Sequence, residues 1–458
     1  MALAKVLLGT TGDGEEAPLP VQLTRALRTF VTQAVRRLGW GVADQGMSSL
    51  TNFAVNIYIA RDLGAVQYGA FSLAYVTYAF ALNASRGVST DPLLVRFSAA
   101  DLQTWRRATA RCTGTAIVAG LAAGICLLTA AMLLHGPSSL AFLALGLTMP
   151  GLLLQDSWRF AFFALGRGSQ AFINDTIWAV TLLAALTLLK VTDHRNVFWF
   201  VLAWGATATI GAAVGPLQAR VLPRLSGAWE WLSGHSDLGP RYMLEGTANS
   251  AATQLRNYGI GFILGLAALG SVQAASTLMG PVMMLLYGMG LVALPEAARL
   301  LQRSPRRVGH FCFLLGVGLT MFAAGWGAIL LVAIPEGLGH WLLGSLWRPT
   351  YPLLLPTILT VMGSCASAGS GAYLHALGAA RHSLRAMLIS SAAYAVCGLL
   401  GAEADGAAGA VCGTAVATWL GALAFWWQLR VARRELGDRP AVTGLVPDPS
   451  YEGHGELT

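Results

Sequence analysis

Apolar residues along this chain gather into long blocks, without the two-residue alternation that marks a half-buried strand. The blocks run near 42–60, 65–88, 112–134, 139–164, 170–190, 196–216, 243–265, 271–294, 308–334, 351–377, 384–400 and 406–428. Each is roughly 18 to 25 residues long, the length at which an α-helix crosses the hydrocarbon of a bilayer. The pattern predicts an all-α integral membrane protein of about twelve transmembrane helices.

The polar positions inside these blocks repeat. "ADQGMSSLTNFAVNIYI" (43–59) can be set over "LEGTANSAATQLRNYGI" (244–260), an offset of 201. Asp44 then falls on Glu245, Ser48 on Asn249, Ser49 on Ser250, Asn52 on Thr253 and Asn56 on Asn257. "LGAVQYGAFSL" (63–73) matches "LGSVQAASTL" (269–278) once a short insertion is allowed. Each half holds six spans, so both halves enter the membrane in the same direction. Two six-helix lobes related by a pseudo-two-fold along the membrane normal follow, as a parallel repeat around a central cavity. The predicted organisation is an N-terminal tail (1–38), an N-lobe (39–222), a linker (223–242), a C-lobe (243–430) and a C-terminal tail (431–458).

Asp44, Ser48, Asn52 and Asn56 are four apart and form one helical stripe, as do Glu245, Asn249, Thr253 and Asn257. A polar stripe cannot face lipid cheaply. Either both stripes line a polar cavity where the lobes meet, or each serves as interhelical hydrogen-bond glue within its own lobe.

Charge refines the picture. Only 11% of residues are charged, against about 25% in soluble domains. With the N-terminus inside, 23 of the 30 Lys and Arg fall in inner segments, and four (Arg61, Lys190, Arg195 and Arg348) in outer loops. That asymmetry puts both termini in the cytoplasm. The net charge of +8 is thus a membrane-topology signal with affinity for anionic membrane lipid, and it implies no nucleic-acid partner.

The remaining three cations, Arg86, Arg159 and Arg256, lie within spans. A charge near the bilayer centre costs about 2.5–3.5 kcal/mol on insertion scales, so each is a candidate substrate-binding residue, with Asn52, Asn249 and Asn257 beside them. Arg256 is eleven residues from Glu245 and has no carboxylate three or four positions away on its own helix. Arg159 lies three residues after Asp156, so the two can pair along one helix face or Arg159 can face the cavity. Arg86 is either a snorkelling anchor or a ligand. Asp44 and Glu245 are candidate cation-coupling carboxylates. Trp341 and Trp347 suit an outer interfacial belt. Pro150, Pro216, Pro281, Pro335 and Pro356 are candidate kinks.

Several chemistries lack their signatures. The six cysteines form no C-x-x-C pair and the eight histidines show no metal-ligand spacing, so neither a metal site nor a cofactor is expected. The two lysines, Lys5 and Lys190, complete no phosphate loop, and no G-x-S-x-G elbow occurs. The outer loops are short. A non-enzymatic protein is expected.

The segment "IARDLGAVQYGAFSLAYV" (59–76) resembles bacterial polysaccharide flippases of the O-antigen and teichoic-acid type, which commonly read A-R-x-L-G-x-x-x-[FY]-G-x-[FY]-x-L. Ala60, Arg61, Leu63, Gly64, Tyr68, Gly69, Phe71 and Leu73 carry the likeness, and "DQGMSSLTNF" (44–53) is similar as well. These proteins belong to the multidrug/oligosaccharidyl-lipid/polysaccharide superfamily. The resemblance implies a V-shaped cavity, alternating access, and a lipid-linked oligosaccharide as substrate, flipped across the bacterial plasma membrane beside cell-envelope glycan synthesis proteins. The alternatives are a cation-coupled exporter of small drugs, as in the other branch of the superfamily, and a membrane glycosyltransferase or polysaccharide polymerase. An arginine-rich cavity would favour an anionic lipid head. Carboxylates and aromatics would favour cations.

Overall fold

The computed structural model describes residues 19–98, 100–236, 239–303 and 305–436, and all their regular structure is helical. Helix α1 is Leu19–Val88. It is followed by α2 Thr90–Phe97, α3 Leu102–Leu133, α4 Gly136–Ala164, α5 Gly168–Val191, α6 Val197–Ala219 and the short α7 Ala228–Gly234. The second half holds α8 Gly239–Leu264, α9 Leu266–Leu278, α10 Gly280–Arg303, α11 Pro305–Ala328, α12 Glu336–Leu343, α13 Trp347–Ala376 and α14 Ala380–Leu436.

Helix α1 reverses at Gly64, whose φ of 71° and ψ of 170° are non-helical. The limbs fold back on each other, since the Tyr68 hydroxyl donates to Asn56 Oδ1 at 3.4 Å across twelve residues. The α8–α9 junction repeats this turn at Gly265, with φ 84° and ψ 170°. Left-handed φ at one sharp reversal is why both positions are glycine. Gly265 lies 201 residues after Gly64, and Gly270 lies 201 after Gly69. The repeat therefore continues at constant offset, and the insertion expected from the sequence is not needed: "LGAVQYG" overlays "LGLAALG". Helix α14 makes a third hairpin, with non-helical backbone at Asp405 and Gly406.

The two halves meet reciprocally. A Cβ on Gly69 would overlap the Leu266 carbonyl, and one on Gly270 would overlap the Ala65 carbonyl. Since 65 corresponds to 266 and 69 to 270, this is the isologous contact that a two-fold axis generates. Lobe interiors use the same small-residue packing: a Cβ on Gly124 would sit 2.7 Å from the Gly146 carbonyl oxygen, where α3 crosses α4.

The outward faces are apolar. Phe262 is 92% exposed, Val332 86% and Met132 84%, and in the most apolar window of α3 only 28% of residues are buried. A surface of this kind needs lipid. Among the described residues seven helices are long and apolar enough to cross a membrane, eight counting α9 with α10. Residues 381–435 enter that count once although they fold back as two limbs. This is a multi-pass membrane protein with a two-lobed helical fold.

Three expectations change. Helix α1 begins at Leu19, well before the span foreseen at 42, because no Gly or Pro interrupts 21–38. Its first limb is therefore about 68 Å long, twice what a bilayer needs. The eighth span is broken: α9 and α10 meet at 58°, beside Pro281, which has no N–H to continue the ladder. Pro150, Pro216 and Pro356 lie inside unbroken helices. Trp347 is not in an interfacial belt. It is 3% exposed and packs under Gly339, whereas Trp341 is 59% exposed.

Candidate functional site

The first limb of α1 carries Asp44, the second limb Arg86, helix α4 Gln155, Asp156 and Arg159, and helix α5 Asp175. All six converge. Arg86 donates to both oxygens of Asp156, Nε to Oδ2 at 2.8 Å and Nη2 to Oδ1 at 2.6 Å. This fork geometry fits a guanidinium to a carboxylate with two parallel bonds. Arg159 Nε donates to Asp44 Oδ2 at 2.6 Å and lies 3.5 Å from Asp175 Oδ2. Arg159 Nη2 donates to Gln45 Oε1 at 3.1 Å. Gln155 Nε2 donates to Asp175 Oδ1 at 2.7 Å. Phe160 lies under the Arg86 guanidinium, 4.7 Å to the ring centre.

Charge counting separates the two halves of this network. Arg86 and Asp156 close one pair. Arg159 is shared by two carboxylates, so the Asp44–Arg159–Asp175 triad holds one negative charge too many when all three are ionised. Asp44 is fully buried, and its Oδ1 has no hydrogen-bond partner. An unpartnered buried carboxylate oxygen is costly, and one proton or one small cation there would satisfy it.

Arg86, Gln155, Asp156, Arg159 and Asp175 line a cavity of ≈ 120 Å³, together with Ser48, Asn52, Tyr75, Tyr78, Trp178 and Trp204; Asp44 does not line it and reaches it through Arg159. That is below the roughly 300–1,000 Å³ of small-molecule sites, so the cavity as it stands suits an ion or water. Every residue lining it belongs to the first half of the chain. Asn52 Nδ2 and Asn56 Nδ2 donate to the carbonyls of Ser48 and Asn52, at 2.9 and 2.8 Å, which ties the stripe to its own helix.

The second half is built differently. Asn257 is 1% exposed and accepts from Arg256 Nη1 at 3.1 Å. Arg256 is 4% exposed, stacks over Tyr394 at 5.3 Å, and has a buried Nε without a partner. It packs between α8 and α14, against Gly398. No described carboxylate lies within ion-pair distance of it. The side chains of Glu245 and Asn249 lie outside the described residues. Helices α10, α11 and α13 enclose a mainly apolar cavity of ≈ 210 Å³ lined by Leu286, Met289, Leu315 and Leu319, with His375 at its edge.

The structure thus brings together Asp44, Asn52, Arg86 and Arg159, and leaves Arg256 and Asn257 in a separate helix interface. Among the described residues of the two polar stripes, Ser48 and Asn52 line the cavity and Asn257 does not; the side chains of Glu245 and Asn249, which the shared-cavity expectation also needs, lie outside the described residues. The pairing along α4 is also replaced: Asp156 bonds Arg86 and Arg159 bonds Asp44, each across helices. Arg86 is therefore not an anchor snorkelling to the surface. Asp175 went unnoticed in the sequence, although a lone Asp within "FINDTIWAVTLLAAL" carries the signal that any ionisable group in a span carries. Among the described residues no group of three or more His, Cys, Asp or Glu is arranged to hold a metal ion.

No protein-family model matches the sequence, and no curated protein matches it. Solved structures do share its architecture. The inward-facing conformation of a multidrug resistance MATE family transporter of the MOP superfamily matches with a TM-score of 0.70 at 14% identity, over 84% of this chain and 96% of that one. The outward-facing conformation of such a transporter matches with a TM-score of 0.57 at 14% identity, over 88% and 96%. A MATE structure in the bent conformation gives 0.53 at 13% identity, over 88% and 96%. This chain therefore has the two-lobed fold of the MATE transporters of the MOP superfamily.

Proposed function

We propose that the protein is a cation-coupled exporter of small molecules that works by alternating access in a bacterial plasma membrane, with both termini in the cytoplasm. The observation that carries this reading is the Asp44–Arg159–Asp175 triad, two buried carboxylates on one guanidinium. Uptake of a proton or a sodium ion balances its charge, and release unbalances it again. A site that changes its electrostatics with occupancy can bias two lobe arrangements, provided the cation binds one of them more tightly. The lining agrees: both arginines are already neutralised, and Tyr75, Tyr78, Trp178 and Trp204 supply aromatic surface. The shared fold of known multidrug transporters supports the export reading.

The test uses purified protein in liposomes under an imposed proton or sodium gradient, with ethidium as the transported organic cation. Asp44→Asn and Asp175→Asn each remove the surplus charge while keeping size and one Arg159 partner. Both variants are expected to insert normally and to lose at least about tenfold of gradient-driven transport, the scale set by 1.4 kcal/mol of lost coupling. Gradient-driven transport at the parent rate in both variants would sink the proposal.

A second reading is kept for one observation. Arg256 is buried with no described counter-charge, and the segment 59–76 resembles polysaccharide flippases. A lipid-linked oligosaccharide would offer a phosphate to that guanidinium through two parallel hydrogen bonds, which an ammonium cannot reproduce. On this reading Arg256→Lys impairs glycan export nearly as much as Arg256→Ala, at normal membrane levels. Normal export by Arg256→Ala excludes Arg256 as the phosphate site.

A further inference from the structure

The segment "ARDLGAVQYG" (60–69) takes no part in the triad, yet it holds the tightest contacts between the two halves. Gly69 meets the Leu266 backbone and Gly270 meets the Ala65 backbone, both without room for a Cβ. The Tyr68 hydroxyl lies 3.1 Å from Thr277 Oγ1. A third contact comes from an element that the first half lacks. Between α3 and α4 the chain needs only two residues, Leu134 and His135, whereas between α11 and α13 it runs through α12 and a 3₁₀ turn to Leu346. This strap crosses to the tip of the α1 hairpin. Arg61 stacks over Trp341 at 5.2 Å, and a Cβ on Gly344 would sit 2.7 Å from the Arg61 carbonyl oxygen. Gln67 Oε1 accepts from the Val197 amide at 2.9 Å, which ties the tip to α6 in its own half.

These contacts differ in kind from those farther along the same seam. There α1 and α8 also pack against each other, but the bonds between them start from side chains: Asn83 to Ser250 at 2.8 Å, Thr77 to Tyr258, and the buried Gln254 Nε2 to the Val76 carbonyl at 2.8 Å. Single side-chain bonds can exchange for water when helices part. A backbone crossing at two related glycines either fits or does not, because packed interfaces are bistable and not continuously deformable.

We infer that residues 60–69, with Gly270 and the strap 336–346, form the outer closure of the transport path, a contact that must part each time the protein opens outward. The inference rests on the alternating-access part of the proposed function and on neither its substrate nor its coupling ion. The higher TM-score to the inward-facing transporter, 0.70 against 0.57, agrees with a structure closed at this end. Gly64, Gly69 and Arg61 then have separate tasks: Gly64 makes the reversal, Gly69 the crossing, and Arg61 holds the strap.

The experiment reads accessibility and not transport, so it separates failure of this inference from failure of the coupling proposal. Thr277→Cys serves as reporter in a chain whose exposed Cys126 and Cys412 are replaced by Ser, probed in intact cells with a membrane-impermeant maleimide. The reporter alone is expected to label slowly. Adding Gly69→Ala or Gly270→Ala forbids the crossing, shifts the population toward an open outer end, and is expected to speed labelling about tenfold. Fast labelling of the reporter alone overturns the inference. So does unchanged slow labelling in both glycine variants at normal membrane levels, the result a merely structural role would give. If neither glycine variant accumulates, Trp341→Ala decides. Removing the cation–π contact is expected to speed labelling about threefold, and an unchanged rate overturns the inference.

Discussion

Asp156 accepts two bonds from Arg86, and its side chain is 7% exposed against 28% for the Arg86 side chain. Such a pair contributes little compared with a well-packed apolar replacement, but cutting it in half strands a charge. Arg86→Ala is expected to lower stability by about 3 kcal/mol, the low end for a buried pair because the Arg86 side chain is only partly buried. The Arg86→Leu/Asp156→Leu double variant is expected to recover most of that loss. Thermal unfolding in detergent checks both, and additive losses in the double variant would exclude the pair. The charges themselves were legible in the sequence, since Arg86, Asp156 and Arg159 stand out in apolar spans. Their partners were not. Spacing reports neighbours on one helix, so it offered Asp156 to Arg159, whereas packing of three helices gave Asp156 to Arg86 and Arg159 to Asp44. Asp175 was overlooked because it has no charged neighbour in sequence and no counterpart in the repeat.

Helix boundaries follow from local chemistry that the sequence does show. Helix α3 starts at Leu102 because Asp101 caps it, accepting from the Gln103 and Thr104 amides at 2.9 and 3.1 Å and from the Thr104 hydroxyl at 2.7 Å. The Thr104 hydroxyl first, and then these amides, hold the Asp101 carboxyl below its usual value of 3.8. A carboxylate favoured in the folded state contributes fully above its unfolded pKa and fades as pH falls through the lowered folded value. Asp101→Ala is expected to speed amide exchange at residues 103 and 104 at neutral pH, with the difference from the parent shrinking only below pH 3.8. Equal exchange in the two proteins at neutral pH would show the cap to be idle. The all-helical, two-lobed membrane architecture and the outline of the repeat were likewise readable, because apolar length and polar spacing encode them directly, whereas the constant offset through Gly64 and Gly265 was not. The strap was not. "PEGLGHWLLGSLW" reads as an outer loop with interfacial tryptophans, and only the approach of the α1 tip turns part of it into a contact surface. The onset of α1 at Leu19 was missed for a related reason: the first span was sought as a hydrophobic block, while a helix needs only unbroken backbone.

At the scale of the molecule, orientation decides which end is the closure and which way the cation gradient acts. The hairpin turns at Gly64 and Gly265, the α12 strap and the Asp405–Gly406 turn lie at one end of the bundle, and Arg61, Lys190, Arg195 and Arg348 lie there with Asp62, Asp193, Glu336, Glu403 and Asp405. Arg195 is paired with Asp193 at 2.9 Å, and Arg348 lies 3.7 Å from Glu336, so little net positive charge is left at that end. The opposite end carries Arg96, Arg106, Arg107, Arg111, Arg220 and Arg224 in the first half alone, of which Arg111 pairs with Glu230 at 2.9 Å. Insertion keeps the end richer in Lys and Arg in the cytoplasm. Arg107→Cys and Arg195→Cys, each in the chain lacking Cys126 and Cys412, are therefore expected to behave oppositely. The impermeant maleimide should label position 195 in intact cells and position 107 only in inverted vesicles. The reverse pattern would turn the molecule over, and the closure at Gly69 and Gly270 would then face the cytoplasm. Labelling of both positions from one side would break the odd count of three spans between them (α3, α4 and α5), and with it the parallel repeat that relates Gly69 to Gly270.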